Sequence, residues 1–99
     1  MGETRVDLPG GDLIRTGCDD LARGMETIPA LLVSIGAPRL RRLGYDVPRP
    51  FPNPERRLYD VLALGNGASA HRRYNALVRR LVSFERAAES VRRHDASSD

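Results

Sequence analysis

The chain has 99 residues, 40% of them hydrophobic and only 5% aromatic, with a net charge of +3. That length supports one domain, here residues 1–99, around one modest core, which Leu, Val, Ile and Ala must supply. No stretch approaches the roughly 18 apolar residues of a membrane span, and a lone cysteine, Cys18, excludes an intramolecular disulfide. With no basic start followed by an apolar run, no signal peptide is expected and the cytoplasm is the expected compartment. All 16 basic residues are Arg. Residues 1–67 balance nine Arg against nine Asp or Glu, whereas residues 68–93 set seven Arg against Glu85 and Glu89. The positive excess therefore lies on one segment.

Residues 1–11 are polar and Gly-rich and are expected to be mobile, as are 94–99. Asp12 is placed to cap a first helix, along which Leu13, Ile14, Cys18, Leu21 and Met25 recur at helical spacing. Gly17 and Gly24 weaken this helix by up to about 1 kcal/mol each relative to Ala; both can serve close packing, and Gly24 can instead mark a fraying end. Pro29 sets a boundary near Ile28. The run Pro29–Ile35 reads as a second helix buried on most sides, stopped by Gly36. Pro38 opens a short helical turn through Leu43, ended by Gly44. Leu31–Tyr45 has the outline of a helix-turn-helix, but its second element is barely two turns long, and Arg42 falls where such a motif wants an apolar residue.

Residues 46–54 form a Pro-rich link. Prolines at 48, 50, 52 and 54 exclude a regular helix or central strand, and their spacing does not align them on one edge of a polyproline helix as an SH3 ligand requires. Phe51 is expected to pin the link to the core. Asn53 is a suitable cap, with Pro54 and Glu55 in the first turn of a helix carrying Leu58, Val61 and Leu62 and ending at Gly65.

Gly65-x-Gly67-x-x-Ala70 has the outline of a dinucleotide-binding turn. That fold requires a second strand, with an acidic residue at its end about twenty residues on. Here the remaining 29 residues are one helix and a polar tail. The glycines are better read as ending one helix and turning into the next, capped by Asn66 or Ser69. His71, Arg72 and Arg73 lie within a turn of that start, where exposed amides attract anions.

The longest helix runs from about Ala68 to Arg93. Tyr74, Leu77, Leu81, Phe84, Ala88 and Val91 form a heptad seam at alternating steps of three and four. The seam can pack on this chain's own helices or on a second copy, where Arg80 would approach Glu85 of the partner. Arg72, Arg79, Arg86 and Arg93 fall on the far side, as a ladder with rungs about 10.5 Å apart. The ladder can be a solvated face, or it can meet phosphates or an acidic protein.

Motifs of catalysis are missing from the sequence: no Gly-x-Ser-x-Gly, no P-loop, no His-Glu-x-x-His, and no Cys or His pair at metal-ligand spacing. Asp19 and Asp20 are adjacent on a helix and point about 100° apart. The expectation is an all-α protein, a small bundle of four to five helices with a Pro-rich link and a long C-terminal helix. It is expected to be non-enzymatic, without cofactor or metal. Its expected role is protein–protein interaction or homo-oligomerisation through the seam; the alternative is a regulatory nucleic-acid-binding protein using the Arg face.

Overall fold

The computed structural model describes residues 8–97, with side chains through residue 93. Regular structure among the described residues is entirely α-helical: α1 (Gly11–Ala22), α2 (Ile28–Ile35), α3 (Ala37–Arg42) and α4 (Pro54–Ser97). None of these helices is long and apolar enough to cross a membrane.

The centre of the fold is α2. Its Thr27 cap accepts a hydrogen bond from the Ala30 amide at 3.1 Å, and Thr27 Oγ1 donates to Asp20 at 2.7 Å. Pro29 then occupies the first turn, where a missing amide proton costs nothing. Ala30, Leu31, Leu32 and Val33 are wholly enclosed. Burying a side chain the size of Leu or Val contributes roughly 1.5–3 kcal/mol, so this apolar run dominates the core. The one polar residue within it, Ser34, donates to the Ala30 carbonyl at 2.8 Å and accepts from the Phe51 amide at 3.1 Å. The link is thereby tied to α2 through a satisfied buried hydroxyl. Phe51 packs half-buried on the core, and the Arg57 guanidinium lies 5.8 Å from its ring centre.

Against α2 lies α1, with Ile14 and Leu21 buried. The crossing is close at Gly17. A Cβ there would run into the Pro29 carbonyl and would lie 2.8 Å from Val33 Cγ1. Two details of α1 differ from the sequence reading. Gly10, not Asp12, stands at the cap position, at φ 78° and with no side-chain hydrogen bond; Asp12 instead pairs with Arg15 at 2.9 Å. The reason is tertiary: a Cβ at Gly10 would lie 3.2 Å from the Arg80 carbonyl, so the chain enters α1 pressed against the α4 backbone. Met25 lies beyond the end of α1 and is exposed.

The last helix is broken once. Asn66, at φ −162° and ψ 99°, is non-helical within α4. Its Oδ1 accepts from the Ala68 amide at 3.1 Å, so Asn66 caps the second arm, residues 67–97. Ser69 does not cap; its hydroxyl donates to the Asn66 carbonyl at 3.3 Å. In a straight helix Tyr59 and Tyr74 would stand about 22 Å apart. Their ring centres are 5.8 Å apart, and Tyr59 also meets His71 at 6.5 Å, so the two arms fold back on each other. Leu58, Leu62 and Ala70, on both sides of the bend, are buried in the common core. The sequence reading of two helices divided by a glycine-rich turn is thus refined: the chain spends one residue, not a loop, on the reversal.

These geometries separate two glycine substitutions. Gly17→Ala should destabilise by about 1–3 kcal/mol, because overpacking at the α1–α2 crossing outweighs the gain in helix propensity. Gly67→Ala meets nothing within 4 Å and should stabilise by up to about 1 kcal/mol. Urea denaturation of both variants checks the pair.

Candidate functional site on the C-terminal arm

The second arm of α4 divides its residues by direction. Leu81, Phe84 and Ala88 of the heptad seam are buried in the chain's own core, and Tyr74 and Leu77 pack half-buried beside them. Val91 is 40% exposed at the seam's end. The Phe84 ring meets Tyr45 at 5.3 Å. The structure therefore brings most of the seam together as an intrachain surface and leaves its last position open.

Glu85 is the residue whose surroundings sequence reasoning missed. Expected at the margin of a seam, facing Arg80 of a second copy, it is instead only 5% exposed within its own chain. A Cβ at Gly36 would lie 2.7 Å from Glu85 Oε2 and 2.9 Å from Leu81, so the α2–α3 junction needs glycine to admit α4. Burial raises the Glu85 pKa, and the Arg39 guanidinium, 3.7 Å away, partly opposes that rise. Arg39 also donates to Glu89 at 2.6 Å. Glu89 in turn accepts from Arg93 at 3.0 Å, and the bonds from Arg39 first and Arg93 second lower its pKa. Arg92 donates to the Arg42 carbonyl. Two of the three arginines of α3 are thus occupied within the chain: Arg39 holds Glu85 and Glu89 of α4, and Arg41 donates to the Val47 carbonyl at 2.7 Å. Arg39 and Glu89 are fifty residues apart, and no local spacing signals their pairing.

The Arg face has the opposite character. Arg72, Arg79 and Arg86 are all exposed, and among the described residues no carboxylate pairs with any of them. Arg93, the last rung, is exposed but holds Glu89. Ala76 and Ser83 stand on the same face between the rungs, so the guanidinium groups rise from a surface of small side chains. Arg73 and Arg80 border it, also exposed. The only acidic residues of the arm between Ala68 and Arg93 are Glu85, buried, and Glu89, engaged. At the start of the arm, His71 is bonded to Asn75 at 3.2 Å, and the Ala68 amide is already taken by Asn66.

Elsewhere, Asp19 and Asp20 serve different surroundings: Asp20 accepts from Thr27, while Asp19 lines a cleft with Cys18. Among the described residues no group of three His, Cys, Asp or Glu could hold a metal ion. Comparison with known proteins finds no matching family model, curated protein or solved structure.

The opposed pKa shifts give a signed prediction. A buried carboxyl with a raised pKa favours the fold below its ordinary titration range and loses that contribution as pH rises through the folded value. The melting temperature of Glu85→Gln relative to the parent should therefore rise as pH is raised from 4 and level off once the buried carboxyl has ionised. Arg39→Met, which strands the ionised Glu85, should destabilise by about 1–3 kcal/mol at pH 7 and by much less at pH 4. A variant-to-parent difference that does not change with pH, in either case, would contradict the assignment.

Proposed function

We propose that this protein is a non-enzymatic binding protein of the cytoplasm, a small bundle of four to five helices that presents the Arg face of its C-terminal arm to nucleic acid. The observation that carries this reading is the exposed row Arg72, Arg79 and Arg86, without carboxylate partners among the described residues, on a stretch from Ala68 to Arg93 whose two acidic residues are buried (Glu85) or engaged (Glu89). Like charges held at heptad spacing without compensation repel one another, and a polyanion along the face relieves that repulsion. Arginine forks match phosphate oxygens two bonds at a time. The scarcity of exposed aromatic side chains favours duplex over single-stranded partners, since single strands rely on base stacking.

Binding of mixed-sequence duplex DNA or RNA should fall with salt, each phosphate contact contributing about 0.9 to the slope of log affinity against log salt. Replacing Arg79 and Arg86 together by Gln should lower the slope by nearly two and leave stability within about 0.5 kcal/mol of the parent. A mobility-shift titration at two salt concentrations reads both. Absence of a shift at low salt removes the reading.

A second reading, self-association through the seam, is favoured by the exposure of Val91. Leu81 is a poor place to test it, because a charge there would disrupt the chain's own core. Val91→Asp should convert a dimer to a monomer by light scattering without unfolding it; a parent chain that is monomeric at micromolar concentration excludes this reading.

A further inference from the structure

Between α1 and α4, closed at one end by the segment after α3, lies a cleft of about 290 Å³. That is close to ten times the volume a water molecule occupies in the liquid. Ile14, Tyr45 and Phe84 line its apolar side. The Tyr45 and Phe84 rings meet at 58°, forming an aromatic corner whose two walls come from different elements. Phe84 and Ile14 are fixed in the core, and Tyr45, 36% exposed, supplies the solvent-side wall.

The polar side is unbalanced in charge. Arg15 lines the cleft, but its guanidinium is engaged by Asp12, which does not. Asp19 and Asp46 line it as well, and among the described residues no cation pairs with either. Cys18 lies between the two kinds of surface. Burial first, and then the charges of Asp19 and Asp46, raise its thiol pKa. The sulfur is therefore a neutral thiol at physiological pH, adding no charge and lacking the thiolate that nucleophilic chemistry requires. Asp19 and Asp46 both line the cleft, as Cys18 does.

An aromatic corner facing two uncompensated carboxylates selects a ligand by sign and by shape. The geometry points to a binding site for a small organic cation, a protonated amine on an aromatic body, with Tyr45 and Phe84 against the body and Asp19 and Asp46 at the ammonium. An anion of the same shape meets repulsion. A neutral analogue keeps the apolar contact and loses the ion pairs. This site is separate from the Arg face and does not depend on what that face binds.

Three probes of one shape test it on the full chain: phenethylamine, 2-phenylethanol and phenylacetate, titrated by ligand-observed NMR at pH 7. Phenethylamine should bind saturably and about tenfold more tightly than 2-phenylethanol, the worth of two partly exposed ion pairs, and phenylacetate should not bind. Phenethylamine should also shift the backbone amide resonances of Cys18 and Asp19 in protein-observed NMR, which locates it in the cleft. Asp19→Asn with Asp46→Asn should bring the amine down to the affinity of the alcohol while leaving the alcohol's affinity and the melting temperature unchanged. Equal binding of amine and alcohol by the parent chain overturns the proposal without reference to any variant. So does an amine that binds without shifting the Cys18 and Asp19 resonances, or one whose affinity survives the double substitution.

Discussion

An eight-residue helix with almost no solvent face is the constraint on which the other elements depend. α2 places five consecutive buried residues, Ala30 to Ser34, in a chain of 99. A helix apolar on all sides must be covered on all sides. The cover comes from α1, from both arms of α4 and from the Pro-rich link, and each neighbour is admitted by a specific local feature. Gly17 lets α1 approach the Pro29 carbonyl; Gly36 lets α4 bring Leu81 and Glu85 to the α2–α3 junction; Ser34 receives the link at the Phe51 amide. The two glycines are small for different neighbours, one a backbone carbonyl and the other a carboxylate and a leucine.

Covering α2 also settles what α4 can offer outward. The seam residues Leu81, Phe84 and Ala88 are drawn into the core, and the arm must therefore turn its arginines to solvent. The same packing encloses Glu85. Its carboxylate is held by the half-exposed Arg39, which also engages Glu89. Charge between Ala68 and Arg93 is thus partitioned by the core: Glu85 inward, Glu89 bridged to α3, and Arg72, Arg79 and Arg86 outward and unmatched by carboxylates among the described residues. A helix whose surface charge had been arranged for stability alone would interleave signs at three- and four-residue spacing. Among the described residues this arm forms such a pair only where Arg93 meets Glu89.

Cys18 illustrates how one position can look chemical in sequence and be structural in its setting. A lone cysteine beside a pair of aspartates invites thought of a nucleophile. In the fold, burial and the charges of Asp19 and Asp46 raise its thiol pKa. The aspartates matter instead as open charges at the mouth of a cleft with aromatic walls, a feature that exists only because Tyr45 and Phe84, 39 positions apart in the chain, are brought together.

Helical periodicity, proline positions and glycine stops were enough to read the helical class, the limits of α2, the irregular link and the break near Asn66 from sequence, because each is a local matter of backbone and hydrogen bonding. The Arg ladder was legible for the same reason: residues seven apart share a helix face whatever surrounds the helix. The cap of α1 was misread because Gly10 stands there, at a left-handed φ of 78° and with the Arg80 carbonyl 3.2 Å from where a Cβ would be. Whether the seam met its own chain or another was open in the sequence, since an apolar stripe specifies burial but not the partner. The Arg39–Glu85–Glu89 cluster and the cleft of Asp19, Asp46 and Tyr45 were invisible there. Both join residues far apart in the chain, and only the covering of α2 decides which distant side chains meet.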